Sequence, residues 1–340
     1  MNKTDMIYDL LAPNVEVDSL ADEFRSYGGE VYLVPRSIKK AGQYVNKVKN
    51  IIQKNNYDVV HIHGNSHTVV LELLAAKLAD CKVRIVHAHS TKCNDLKLHN
   101  VMTKPFNMLC THRIACGKDA GRFMFGKNTF TIINNGIDLY EFSYNEEARI
   151  RIREEHNLSG KKVIGHMGLF SENKNQTFLV DVLAEIKKVD PDYVLLLVGD
   201  GETKEAVAEK AKELGLSDSV IFAGFTDDPS GYFSAFDIFT LPSFFEGLPL
   251  VLVEAQAEGL CSVVSSSVTT ESDKTGNVSF LPLEKGAKVW ADEILKRIDS
   301  KDRKENSESA TKALTDKGYS VNNEAEKLLE FYKNAINDQG

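Results

Sequence analysis

The chain lacks any apolar run near the roughly 18 consecutive residues that a membrane-spanning helix needs. Its amino end, MNKTDMIYDL, has neither the basic nor the apolar region of a signal peptide. Together these absences predict a cytoplasmic protein. The five cysteines, Cys81, Cys93, Cys110, Cys116 and Cys261, contain no C-x-x-C pair and are odd in number. That pattern argues against a structural zinc site or a disulfide framework and for reduced, mostly buried thiols. No stripe of Lys and Arg is present and the net charge is −8, which disfavours nucleic acid as a partner. Short repeats and low-complexity tracts are missing too, apart from the polar stretch SKDRKENSESATKALTDKG.

What is present is enough apolar residue, 42% of 340, to bury one large core or two ordinary ones, and this length favours two domains. Charge is unevenly divided. Up to Ser143 there are 18 Lys plus Arg against 14 Asp plus Glu, and beyond it 23 against 35. The small, dispersed excess in the front half reads as ordinary solvated surface; the sharper reading is a peripheral contact with anionic lipid.

Short β-branched runs alternate with amphipathic stretches, the pattern of parallel sheets wrapped by helices. The first half offers the strands MIYDLL, EVYLV, DVVHIH, VRIVHAH, RIAC and FTIIN, with helical segments such as HTVVLELLAAKLA between them. The second offers KVIGHM, YVLLLVG, SVIFAG, DIFTLP, CSVVSS and VSFLP, with QTFLVDVLAEIKKV and KEAVAEKAKELG as helices. The reading is an α/β protein of two doubly wound, Rossmann-like domains facing a central cleft. The domains are placed at 1–142 and 143–320, followed by a helix over 321–340 that packs back on the first. The join falls in NNGIDLYEFSYNEEA, where a strand runs into Asn-Gly turn chemistry.

Ligands of open α/β sheets bind beyond the carboxyl ends of the strands. Four strand-end loops of the second half carry suggestive residues: GHMGLFSENKNQ, VGDGE, AGFTDD and PSFFEGLP. The first leads into a helix beginning near Lys174, where amides, helix dipole and an ammonium can converge on a phosphate. Taken alone it is weak, since glycines at strand ends commonly serve tight turns. In LPSFFEGLPLVLVEAQAEGL, Pro249 suits a helix start and Gly259 its end. Glu246 then lies in the loop and Glu254 about a turn and a half inside the helix. A helical rise of about 12 Å over eight residues puts the carboxylates too far apart to share a proton. They are spaced to hold two ends of one ligand, such as the ribose and hexose hydroxyls of a nucleotide sugar. The plainer reading is one capping Glu and one surface Glu.

With Glu246 and Glu254 separated by seven residues, this segment resembles the E-x7-E signature of retaining glycosyltransferases of family 4, which have the GT-B fold. NNGIDLYEF, GHMGLFSENKNQTFL, LLLVGDGE and VIFAGFTDD match further landmarks in order. HIHGNSHTVVLELLAAKLA, VRIVHAHST and KVWADEIL are similar to members that build bacterial capsular polysaccharide or exopolysaccharide. The resemblance implies hexosyl transfer from a nucleoside diphosphate sugar, a UDP-sugar foremost, to a lipid-linked saccharide at the inner face of the plasma membrane, with no metal and no other cofactor. It implies that Glu254 accepts from the ribose and that Glu246 contacts the transferred sugar beside the amides of Gly247 and Leu248. Lys174 would neutralise the diphosphate approached by Gly168, and Gly224 with Phe225 would lie near the base. From the first domain, His89, with His87 second, would face the sugar, and His63 and Asn65 would contact donor or acceptor. By the same resemblance Glu246, His89 and Lys174 would be the catalytic set.

Two features depart from that family. Leu169 stands where members carry an Arg on the diphosphate, and the front resembles what normally follows a first strand and glycine-rich loop. A second reading is therefore a non-catalytic nucleotide-sugar-binding relative, and a third, weaker one an epimerase or phosphorylase on the same plan. His61 with His63 and His87 with His89 share strand faces, and a metal between them is conceivable. It is set aside here because no Cys or paired acid stands at ligand spacing.

Overall fold

The structure, a computed structural model, describes residues 6–13, 18–298 and 302–338. Residues 1–5 of the amino-terminal stretch considered above lie outside the described residues. The chain divides into a unit of residues 1–132 with 329–340 and a unit of residues 133–328. The boundary thus lies ten residues before the expected one at 142/143. Its physical reason is apolar: Ile137, Leu139 and Phe142, assigned from sequence to the first domain, are buried in the core of the second unit. Ile137 also exchanges backbone hydrogen bonds with Tyr319 and Val321.

The first unit runs β1 (Leu10–Ala12), α1 (Asp18–Ser26), β2 (Val31–Leu33), α2 (Ala41–Asn55), β3 (Val59–Gly64), α3 (Val70–Leu78), β4 (Val83–Ala88), α4 (Leu96–Leu109), β5 (His112–Ala115), α5 (Lys118–Phe125) and β6 (Thr131–Ile132). Strand β4 reads VRIVHA and is buried at every residue, as a central parallel strand covered on both faces should be. Its Arg84 is buried by donating to the carbonyls of Cys81 and Leu109 at 2.7 and 2.8 Å, which satisfies a charge that would otherwise be costly there.

Among the described residues the strands of this unit pair in two pieces. β3-β4-β5-β6 pair in sequential order, and β1-β2 form a separate parallel pair. Leu11 of β1 and Val60 of β3 pack on one cluster, and Tyr57 donates to Asp9 between the two pieces. No backbone ladder joins them among the described residues.

The second unit contains α6 (Glu146–Glu155), β7 (Lys162–Met167), α7 (Gln176–Lys187), β8 (Tyr193–Val198), α8 (Lys204–Glu213), β9 (Val220–Gly224), α9 (Pro229–Ala235), β10 (Ile238–Leu241), α10 (Leu250–Ala257), β11 (Ser262–Ser265), β12 (Val278–Leu281), α11 (Gly286–Arg297) and α12 (Arg303–Asp316). Its six parallel strands run in the order β12-β11-β10-β7-β8-β9. This is the doubly wound order, with the direction of travel reversing between β7 and β10. Alternate residues of β8 feed two cores: Val194, Leu196 and Val198 enter one, Tyr193, Leu195 and Leu197 the other. The second core closes over Trp290 of α11, fully buried and edge-on to Phe178.

Helix α13 (Val321–Asn337) begins in the second unit and ends in the first. Glu324 accepts from the amide of Asn134 at 2.8 Å. Tyr332 lies 2.5 Å from His61 Nδ1, and Phe331 meets His112 edge-on.

One contact sets how close α9's end comes to β7. A Cβ on Gly165 would sit 2.1 Å from the Phe236 ring. Gly165→Ala should therefore destabilise the chain by about 1–3 kcal/mol through overpacking. Combined with Phe236→Leu, the two penalties should sum to clearly less than their separate values in denaturant titrations; simple additivity would refute the steric account.

Candidate donor site of the second unit

The reversal between β7 and β10 lays the loop after β7 beside the loop after β10. The first loop carries a 3-10 turn, Glu172–Lys174, before α7 starts at Gln176, so Lys174 precedes the α-helix rather than opening it. Asn175 supplies the left-handed residue at the junction, φ 54°, a conformation that Asn tolerates better than most side chains. Asn173 Nδ2 donates to the Phe245 carbonyl at 2.8 Å, and the Phe244 amide donates to the Asn173 carbonyl at 2.8 Å. Asn175 Nδ2 reaches the Pro242 carbonyl at 3.3 Å. Sequence reasoning missed both asparagines; the signal was the SENKNQ string itself, polar residues at a strand-to-helix turn where side chains commonly bond backbone.

These bonds bring two of the expected residues together. Lys174 Nζ donates to Glu246 Oε1 at 2.7 Å, with the two side chains 19% and 15% exposed. A largely dehydrated ion pair interacts more strongly than a surface one. Glu254 is the fifth residue of α10, as its spacing from Pro249 predicts. Burial, with a smaller contribution from the Glu141 carboxylate, pushes its carboxyl up to about 7.

The Gly168 loop is held from below. A Cβ on Gly199 would lie 2.2 Å from the Gly168 carbonyl oxygen, and one on Gly201 2.4 Å from that of Phe170. Both glycines have positive φ, 124° and 148°. The glycines of VGDGE thus let one loop cross another at backbone contact. In the crossing, the Gly168 and Phe170 amides donate to the Val198 and Asp200 carbonyls at 2.9 Å. These two amides are thus taken up internally. Gly224 joins the same stack, accepting from the Gly199 amide at 2.7 Å. Phe225 beyond it is 78% exposed, and Leu169 is 58% exposed. The sites of Gly247 and Leu248 differ: a Cβ on Gly247 would meet open space, while Leu248 packs on the core.

His166 was not singled out from the sequence. It is fully buried, donates from Nδ1 to the Thr240 carbonyl at 2.9 Å and stacks on Phe239. That bond fixes Nε2 as the bare nitrogen, and a Cβ on Gly168 would meet it at 3.6 Å, as it would Lys174 Cε. Burial lowers the imidazole to about 4, the Thr240 carbonyl opposing and Lys174 adding a smaller decrease.

In the first unit, His63 pairs in register with His87. His63 Nδ1 lies 2.8 Å from His89 Nε2, and the His87 and His89 rings are 4.2 Å apart. Asn65 follows β3 and is exposed.

EpsF of Bacillus subtilis (strain 168), named as a glycosyltransferase, is 32% identical over 98% of this chain and 90% of its own length. The model of the family Glycosyl transferases group 1 matches residues 148–314. The chain belongs to the group 1 glycosyl transferases. The Escherichia coli UDP-Gal:alpha-D-GlcNAc-diphosphoundecaprenol alpha-1,3-galactosyltransferase is 28% identical over 73% of this chain and 68% of its own. Anabaena HepE, solved in complex with UDP, superposes with a TM-score of 0.79 at 20% identity, covering 96% of this chain and 92% of that one; this likeness shows the fold, GT-B. No helix among the described residues of this glycosyltransferase is long and apolar enough to cross a membrane.

His166 gives this group 1 enzyme a pH signature. Its folded pKa of about 4 lies below the ordinary 6.5, so the unfolded chain binds the extra proton between those values. The stabilisation is complete above about pH 6.5 and is lost as pH falls toward 4. Glu254 and Glu258, both raised to about 7, act with the opposite sign, so the comparison must be with a variant. Between pH 7 and 4.5 the native chain should lose on the order of 2–3 kcal/mol more than His166→Gln; parallel melting curves would show that His166 is not held neutral.

Proposed function

We propose that this glycosyltransferase moves a hexosyl unit from a nucleoside diphosphate sugar, a UDP-sugar foremost, to a lipid-linked saccharide acceptor in capsule or exopolysaccharide assembly. The anomeric configuration is retained and no metal is used at the leaving group. The observation that carries the proposal is the 2.7 Å pair of Lys174 and Glu246 at the sheet's switch point. It joins a cation suited to a diphosphate with an acid suited to a sugar hydroxyl, and the two groups meet in one ligand at the bond that breaks. Glu254, further along α10, is the acceptor for the ribose. Lys174 stabilises the departing diphosphate, and His89, with His87 second, faces the sugar.

The relatives support the donor and acceptor classes: the Escherichia coli enzyme is named for UDP-Gal and a diphosphoundecaprenol-linked sugar. A lipid-linked acceptor brings with it work at the cytoplasmic face of a membrane, to which the mildly basic front half is suited. One feature favours a second reading, a nucleotide-sugar-binding protein without transfer. Leu169 replaces the second phosphate cation, and the Gly168 and Phe170 amides are bonded elsewhere, which leaves Lys174 to carry the diphosphate.

Thermal shift with UDP, GDP and ADP, followed by transfer assays with UDP-sugars, separates the readings. UDP should raise the melting temperature of the native chain, and Glu254→Ala should abolish the shift. Glu246→Ala should keep it while transfer falls at least about 100-fold. Stabilisation without transfer by the native chain would favour the binding protein. No stabilisation by any nucleotide would remove the site altogether.

The raised Glu254 carboxyl adds a pH test. A carboxylate that accepts ribose hydroxyls must be ionised, so UDP affinity should fall about tenfold per pH unit below about 7. In Glu254→Gln binding should be weak and flat with pH; an unchanged pH profile would exclude Glu254 from the nucleotide.

A further inference from the structure

The described residues of the first unit hold a group of side chains with metal-ligating chemistry for which the proposed transfer has no use as a metal site. One ring nitrogen each of His61, His63 and His87 lies within 4.8 Å of the others. The parallel ladder produces this. His63 stands opposite His87, and His61, two residues earlier on β3, projects from the same face. His89, two residues beyond His87, joins through its 2.8 Å contact with His63. The four rings stack or tilt with centroids 4.2 to 5.4 Å apart.

Two details match what metal sites require. A metal-bound histidine usually has its other ring nitrogen held by an oxygen, and His61 Nδ1 lies 2.5 Å from the hydroxyl of the buried Tyr332. His61 Nε2 is then left buried with no hydrogen-bond partner. Access is available as well, because His63 is exposed while His87 is buried.

Tetrahedral ligation at zinc–nitrogen distances of about 2.0–2.1 Å puts ligand atoms about 3.3 Å apart. Closing the present spacing to that value needs each ring to turn and its nitrogen to move by roughly an ångström. We infer that His61, His63 and His87 form a binding site for a divalent transition-metal ion, zinc foremost, with the fourth position open to water. An all-imidazole set suits zinc, copper or nickel and not the oxygen-preferring magnesium or calcium. The sequence reasoning that set a metal aside looked for a Cys or a paired acid; three imidazoles suffice.

The consequence of occupancy, though not the site, rests on the proposed function. His87 is assigned there, second to His89, to face the sugar, and a bound ion takes it from that task and fills the space beside His89. The metal is an inhibitor rather than a cofactor.

The test uses the full chain after chelator treatment, titrated with Zn2+ alone against a chromophoric indicator and with Co2+ read by visible absorption. One equivalent should bind, with a tetrahedral cobalt spectrum. His61→Gln and His87→Gln should each weaken uptake at least tenfold, and the exposed His63→Gln provides the same test with least risk to folding, checked by metal-free melting curves. His156→Gln, in the second unit, should bind as the native chain does. No stoichiometric uptake by folded native protein, or an equivalent that survives the His61, His63 and His87 substitutions, would overturn the site. Transfer should fall as zinc fills it and return on chelation. Loss of metal uptake leaves the transferase reading standing, and loss of transfer with uptake intact counts against that reading alone.

Discussion

The second unit depends on one pairing: β7 is bonded to β10 on one side and to β8 on the other. Because the chain reverses direction of travel there, helices leave the sheet toward opposite faces and the two strand-end loops are left uncovered between them. Nothing else in the sequence would bring residue 174 to residue 246. The asparagine bonds and the Lys174–Glu246 pair both follow from that adjacency. A different strand order with the same residues would scatter them.

The second constraint is steric and acts at backbone level. Glycines at Gly199 and Gly201 allow the Gly168–Phe170 segment to lie directly on the β8 loop. The contact rigidifies the floor of the site and in the same act takes two amides out of service as anion donors. A family member with an Arg after the glycine has two cations to share a diphosphate; here Leu169 points to solvent and Lys174 has no such partner. A single lysine is a compact charge without the bidentate geometry of a guanidinium. The ion pair with Glu246 therefore matters more, since it fixes where the proposed phosphate cation stands.

The sheets of the second unit were legible because their strands are dense β-branched runs bounded by glycine or polar turns. KVIGHM is β7 to the residue, and YVLLLVG overshoots β8 by one. The first unit was less legible. MIYDLL was read as a strand over 6–11, whereas pairing with β2 fixes β1 at Leu10–Ala12. Its break into two sheets is a fact about strand neighbours, which periodicity cannot report. The domain boundary was misread because NNG looks like a linker, while the residues after it, Ile137, Leu139 and Phe142, are core. His166 was illegible for another reason: its importance lies in a bond to Thr240, 74 residues away, and in what burial does to an imidazole.

Burial is also what links the chemistry of the two units. In each, ionisable groups are withdrawn from water and driven toward neutrality: His61 in one, His166 and Glu254 in the other. A neutral imidazole retains a lone pair and a neutral carboxyl retains a proton, so each group is left with one unfilled preference that a ligand can meet. For Glu254 the proposed partner is a polyol able to draw out the ionised form; for the histidines the proposed partner is a Lewis acid. The same desolvation that costs stability when such groups are forced to charge makes them selective, because a ligand that does not satisfy the preference gains nothing from displacing water there. On this argument the acidic site and the histidine cluster discriminate by one physical means, applied to opposite kinds of partner.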